Sequence, residues 1–314
     1  MAITVAFVPH LAVAQDDAET GPTDDTVYAQ VLPLATKSLM LDITRMAGGR
    51  FVAVGERGHV IHSDDGELWV QATSVPSRAT LTSVTTAGDR LWAGGHDTDI
   101  LVSDDRGETW TLLYRDIERQ QPVLDLHFFD ARRGMAIGAY GLAMFTDDGG
   151  ESWDERVVSE DEWHLNAVLD RGDGQLFIAG ESGISYASDD SGLSWEALEM
   201  PYPGSMFGAL ESGGCLWLFG LRGHLQRRCG EGSDWDEPET DSMATLLDGI
   251  ATDEGLLLVG NSGTVILGRP GAGAQVFQHS SGVDFAGVVA LGDGRWLLAG
   301  EGGVHHFPET GVSP

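Results

Sequence analysis

Four stretches of this chain bring adjacent aspartates together with a hydroxyl, a glycine and a tryptophan. They are SDDGELW, closing at Trp69, SDDRGETW at Trp110, TDDGGESW at Trp153 and SDDSGLSW at Trp195. Paired carboxylates at this spacing can do two kinds of chemistry: hold a calcium ion through side-chain oxygens, or supply the acid and base of a hydrolase. The calcium reading fails on its donors, because the loops lack the full alternating set of oxygens and the closing glutamate. The catalytic reading fails on copy number. One reaction needs one constellation, whereas these pairs recur as Asp64 and Asp65, Asp104 and Asp105, Asp147 and Asp148, and Asp189 and Asp190. The sequence also has no zinc-ligand pattern and no Cys-x-x-Cys. No metal, cofactor or catalytic residue is expected, and the motif reads as a structural corner.

A second motif shows what the corners belong to. A short apolar run ends in glycine, two residues follow, and then usually a second glycine, as in FVAVGERG (51–58) and LLLVGNSG (256–263). The first glycines are Gly55, Gly95, Gly138, Gly180, Gly220, Gly260 and Gly300, separated by 40, 43, 42, 40, 40 and 40 residues. Each unit reads as four short strands, the second apolar throughout and hence covered on both faces. Gly-x-x-Gly reads as the hairpin between second and third strands, with glycine supplying its backbone conformations. The Asp-rich corner lies between the third and fourth strands, its tryptophan anchored in apolar packing.

Sheets of this kind repeated every 40 residues predict an all-β, seven-bladed β-propeller of four-stranded antiparallel blades. The blades fall at about 39–73, 80–114, 122–158, 164–199, 205–237, 245–278 and 284–307 of one domain spanning 26–308, with a tail over 309–314. The seventh unit stops one strand short. Residues 26–32, TVYAQVL, are therefore expected to enter it as the outer strand and close the ring, removing an exposed edge.

Lys+Arg 18 against Asp+Glu 49 give a net charge of −31, which excludes a phosphate-binding nucleic-acid partner. Residues 1–25 begin with an apolar run ending in Ala12-Val13-Ala14 and turn acidic, as at the end of a secretory signal. No other segment has the length and apolarity of a membrane span. The expected state is an exported, monomeric, non-spanning protein in the periplasm. In blade five the corner is replaced by RRCGEGSDW. Folding that hairpin about Leu221-Arg222 brings Cys215 and Cys229 within about one residue of facing each other, so a disulfide is open to them in an oxidising compartment.

The hairpin tips are expected to share one end of the ring with the inter-blade connections, as a binding face. The tip candidates are Glu56, Arg57, His96, Asp97, Tyr140, Glu181, Arg222, Asn261 and Glu301. The connections add Arg115, Arg119, Trp163, His164, Tyr202 and Phe207. Arginine and aromatic side chains on an acidic surface fit a protein-binding patch.

The apolar-Gly-x-x-Gly hairpins and Ser/Thr-Asp-Asp-x-Gly-x-x-Trp corners resemble the photosystem II stability/assembly factor family. GAYGLAMFTDDGGESW (138–153), HLNAV (164–168) and PYPGSMFG (201–208) carry the resemblance most closely. It covers about residues 27–307. It implies an exported, non-enzymatic propeller that helps a membrane protein complex assemble: photosystem II in photosynthetic organisms, another envelope client in related bacterial chains. Two other readings compete. A sialidase-like glycoside hydrolase would use Tyr140 as nucleophile, with Glu181 and either Arg57 or Arg222. A ligand-binding propeller would hold a small molecule or cation in its channel among His96, Asp97, Glu181 and Glu301.

Overall fold

The structure is a computed structural model that describes residues 26–230, 232–269 and 273–309. The signal-like stretch 1–25 and residues 310–314 of the tail lie outside these.

Seven antiparallel sheets follow one another along the chain, each with its strands in sequence order. The first strands, from Met40–Arg45 in blade one to Phe285–Gly292 in blade seven, pack side by side around the ring. The second strands lie behind them and are the most deeply buried. Phe51–Gly55, Gly134–Gly138 and Gly255–Gly260 are buried at every residue. That matches their unbroken apolar sequences, since each is covered by both neighbouring blades. The seven hydrophobic clusters accordingly fall between blades as well as within them; one joins Val52 and Val54 of blade one to Leu91, Leu101 and Trp110 of blade two.

The structure changes expectations about the blade edges and about the glycines. Among the described residues, five sheets have four strands and two have three. In blade five the outer strand shrinks to one bridge, between Arg227 and Asp236. Among the described residues, the last strand of blade seven is its third, Gly303–Phe307, and residues 26–32 do not join it. They run instead along the outer edge of blade one. The Ala29 amide donates to the Val75 carbonyl (2.9 Å), Leu32 donates to Gln71 Oε1 (2.9 Å), and the Gln71 side-chain amide donates to the Gln30 carbonyl (2.9 Å). The reason is local. Blade one's outer strand is only Val70–Gln71, which leaves polar groups for the segment to satisfy. Closure comes from packing without a shared strand: Met40, Ile43 and Phe51 of blade one form a single cluster with Leu297 and Ala299 of blade seven.

The other departure concerns the glycines. Each first glycine is extended, with φ near −175° at Gly55, so turn conformation does not require it. It is required by close approach, because a Cβ on Gly55 would lie 2.0 Å from the Leu39 carbonyl oxygen. The left-handed turn conformation falls on the residues that follow, Arg57 (φ 59°) and Gly58 (φ 70°).

Candidate partner-binding face

The four Asp-rich corners share one hydrogen-bond pattern. The hydroxyl of Ser63, Ser103, Thr146 or Ser188 accepts the amide of Gly66, Gly107, Gly150 or Gly192, each at 2.9 Å. The second aspartate receives a downstream amide, Ser152 to Asp148 at 2.9 Å and Ser194 to Asp190 at 2.8 Å. The Ser152 hydroxyl, the Ser152 amide and the Thr146 hydroxyl hold the Asp148 carboxyl down to about 2. Asp190 is likewise held at about 2, chiefly by the hydroxyl and amide of Ser194. Such groups stay ionised and occupied, so they cannot deliver a proton at neutral pH. Of the first aspartates, Asp64 and Asp104 pair with Arg50 and Arg90 (2.7 and 2.6 Å). Trp110 is buried, whereas Trp69, Trp153 and Trp195 are half-buried wedges. The indole N–H of Trp69, Trp110 and Trp153 donates to the carbonyl of the corner glycine.

The opposite end of the ring carries the hairpin tips. In all seven blades the amide of the first tip residue donates to a backbone carbonyl just ahead of the first strand, as Glu56 does to Leu39 and Glu301 to Asp284. In six tips the second residue is left-handed without being glycine: Arg57, Asp97, Tyr140, Ser182, Arg222 and Ser262, with φ of 55–60°. Each such residue costs about 1–2 kcal/mol and persists because the surrounding hydrogen bonds fix it. The tip backbones thus share one hydrogen-bonded conformation, while their side chains differ from blade to blade.

The candidates divide into exposed groups and internally engaged ones. Arg57 is largely exposed, beside Glu56 (3.8 Å). Glu56 and Glu181 cap backbone amides, those of Leu39 (3.2 Å) and His164 (2.9 Å). The Tyr140 ring is 53% exposed and meets His164 edge-on at 5.0 Å, while His164 lies 3.4 Å from Glu181. Trp163, 38% exposed, immediately precedes His164 in the chain. One blade further on the arrangement recurs: Tyr202 stacks on His224 at 3.5 Å, and His224 pairs with Glu237. Arg115 belongs to the interior, since it grips the fully buried Asp99 with two bonds of 2.6 Å. Arg119 is mostly covered and pairs with Glu155. Phe207 stands at the irregularity in blade five's first strand, between Met206 and Gly208. His96, Asn261 and Glu301 take their places in the tip turns.

For the competing readings, His164 intervenes between Tyr140 and Glu181 where a hydrolase would need nucleophile and base in contact. Among the described residues, no group of three or more His, Cys, Asp or Glu is arranged to hold a metal ion. No described helix is long and apolar enough to cross a membrane. Cys215 and Cys229 are directly paired across their hairpin and bridged as a disulfide, with Cα atoms 4.1 Å apart.

Sequence reasoning missed three carboxylates on the first strands. Asp42, Asp125 and Asp248 each reach the next blade, accepting the amides of Val84 (2.7 Å), Val168 (2.8 Å) and Val288 (2.7 Å). They sit on the channel-lining strands, and burial pushes all three upward, Asp248 to about 7. For Asp42 the charges of Asp248 and Asp125 add to the rise. The signal was present as a Leu-Asp pair opening blades one, three and six (41–42, 124–125, 247–248).

Comparison with known proteins bears out the resemblance seen in the motifs. The family model for the photosynthesis system II assembly factor YCF48 matches residues 112–211. The photosystem II assembly lipoprotein Ycf48 of Synechococcus sp. (strain CC9902) is 27% identical over 139 residues, 42% of this chain and 41% of that protein. The photosystem II assembly protein Ycf48 of Thermosynechococcus vestitus is 30% identical over 160 residues, 49% and 46% of the two chains. The alignment thus spans less than half the length of these curated relatives. Among solved structures, YCF48 bound to D1 peptide superposes with a TM-score of 0.72 at 17% identity, covering 87% of this chain and 92% of that one. At that identity the likeness speaks for the fold.

Proposed function

We propose that this photosystem II assembly factor-like chain is a non-enzymatic scaffold that assists the assembly or stability of a membrane protein complex, which it engages through its hairpin-tip face. The observation carrying the proposal is the patch of Tyr140, Trp163, His164 and Glu181. It lies within the segment matched by the family model, on a tip and the inter-blade connection beside it whose backbones are held by hydrogen bonds, an arrangement that lowers the cost of ordering on binding. Exposed aromatics beside charged groups are the usual composition of binding hot spots. The curated relatives are described as photosystem II assembly proteins and a relative of the same fold as bound to a D1 peptide, which supports a membrane protein as the client. The client is a photosystem II protein if the source is photosynthetic and another envelope complex otherwise. The disulfide and the lipoprotein description of one relative support an exported location, the periplasm or a lumen-like compartment.

The test is capture from detergent-solubilised membranes of the source organism, using the whole chain as bait. Wild type should retain a membrane protein complex. The combined Arg57→Ala, Tyr140→Ala, Arg222→Ala variant, confirmed as folded, should lose at least nine-tenths of it. Undiminished capture by the variant, or capture of soluble proteins alone, would overturn the proposal.

A further inference from the structure

The tip of blade three stands between two inter-blade connections. On one side the Gln121 side-chain amide donates to the Tyr140 carbonyl (3.0 Å), and the Asp116 amide donates to the Asp97 carbonyl on the tip of blade two (3.0 Å). On the other side the Gly141 amide donates to the Trp163 carbonyl (3.0 Å), and a Cβ on Gly141 would lie 3.6 Å from Glu162 Cα. These bonds hold together three segments that each expose a large apolar side chain: Ile117, Tyr140 and Trp163. Exposed apolar side chains gathered on one face mark a contact surface.

The charge around them is one-sided. Glu118, Glu160, Asp161 and Glu162 are exposed, and among the described residues none of them forms an ion pair. The two arginines of the same connections are engaged by the fold, Arg115 with buried Asp99 and Arg119 with Glu155 and Asp116 (3.5 Å). His164 sits beside Glu181 (3.4 Å), whose carboxylate also caps the His164 amide. Other cations of the tip end lie elsewhere on the ring: Lys37, Arg57 and Arg78 around blade one, and Arg222 on the tip of blade five. The excess of carboxylate at blade three is therefore local and more than a share of the net charge of −31.

An aromatic ring attracts a cation through its quadrupole, and carboxylates within a Debye length, about 8 Å at physiological ionic strength, add to that attraction. Lysine and arginine also carry apolar stems that can lie along Ile117 and the two rings. An anionic segment is repelled from the same place.

We propose that the blade-three tip and its two flanking connections receive a cationic segment of the client. Its arginine or lysine side chains lie over Tyr140 and Trp163 and are countered by Glu118, Glu160, Asp161 and Glu162. The proposal rests on the scaffold reading and specifies the chemistry of the client at that site, and it can fail while that reading stands.

The probe is a fluorescein-labelled peptide of sequence GRAGRAGRG, with GEAGEAGEG as its charge-reversed twin. Anisotropy follows binding to the whole protein at physiological ionic strength. The arginine peptide should bind saturably and the twin should not. Tyr140→Asn combined with Trp163→Ala should weaken binding about tenfold through loss of both cation–π contacts. Asparagine tolerates the left-handed backbone at position 140, and an unchanged Tm confirms the fold. Glu118→Gln, Glu160→Gln and Glu162→Gln together should also weaken binding about tenfold and flatten its salt dependence. The same charge removed on and beside the corners, by Glu151→Gln, Asp154→Asn and Glu196→Gln, should change affinity by less than about twofold, because those groups lie beyond screening range.

No saturable binding, equal weakening by the two charge-removing triples, or indifference to loss of both rings would overturn the proposal. So would phosphatidylcholine vesicles that displace the probe, or a dimer, measured by light scattering, that Trp163→Ala dissolves. Those results would assign the rings to a lipid headgroup or to a second copy. If the Glu118→Gln, Glu160→Gln, Glu162→Gln variant still captures the membrane complex at full yield, this proposal fails and the scaffold reading stands.

Discussion

Replacing Asp248 by asparagine should make the ring more stable, and by an amount that depends on pH. The carboxyl accepts the Val288 amide from the next blade and is pushed to about 7 by burial. In the unfolded chain it titrates near 3.8. A folded-state value above the unfolded one means that the folded ring holds a proton the open chain releases. The resulting stability is complete below pH 3.8 and is lost as the pH rises through about 7. Between pH 5.0 and 7.5 the full shift corresponds to about 2.5 kcal/mol. Asp248 is half-buried along the channel, where water screens part of its charge, which leaves about 1–2 kcal/mol.

Asparagine keeps the shape and the acceptor for Val288 and cannot ionise. Asp248→Asn should therefore melt above wild type at pH 7.5, and its advantage should shrink by about 2–4 °C at pH 5.0. His59, His62 and His305, all pushed down by burial, act in the opposite direction below pH 6.5. They are common to both proteins and cancel in the difference. Asp148 and Asp190, held at about 2, contribute stability above 3.8 and lose it only as the pH falls through about 2, outside this window. Calorimetry of both proteins across pH 5.0–7.5 measures the gap. A gap that stays constant, or widens on acidification, would refute the linkage argument.

Trp153→Ala should cost about 3 kcal/mol, the low end for a buried aromatic. The indole is half-buried, meets Phe128 edge-on at 6.1 Å and donates to the Gly150 carbonyl; urea denaturation reads the loss, and a cost under about 1 kcal/mol would deny the wedge role. Removing the disulfide by Cys215→Ser, which opens a closed hairpin of sequence separation 14, should cost up to about 3 kcal/mol. Dithiothreitol should lower the melting temperature of wild type and leave the variant unmoved, and equal response of the two would contradict the bridge.

Repetition made the fold legible. The glycine spacing located every second strand, and the unbroken apolar runs identified them as covered on both faces. What could not be read followed from contacts between blades. The first glycines were assigned to turn geometry, although Gly55 is required by the Leu39 carbonyl, which lies just ahead of the neighbouring first strand. Residues 26–32 have the composition of a strand, yet the polar groups left free by a two-residue outer strand drew them to blade one. Arg115 has the look of a surface cation in its loop, and only the fold reveals the buried Asp99 beneath it. At the tip face, the sequence placed Tyr140, Trp163, His164 and Glu181 on one end. The two Tyr–His–Glu contact sets, Tyr140 with His164 and Glu181 and Tyr202 with His224 and Glu237, depend on tips, inter-blade connections and an outer edge that lie far apart in sequence.

The central claim is that the tips meet the client while the Asp-rich corners only brace the ring. Site-specific photo-crosslinking in intact cells tests it most directly, with a benzophenone amino acid at Tyr140 on a tip or at Glu151 on the corner of blade three. The account predicts crosslinks to a membrane protein from position 140 and none from position 151. The same membrane protein crosslinked from 151 and absent from 140 would contradict it.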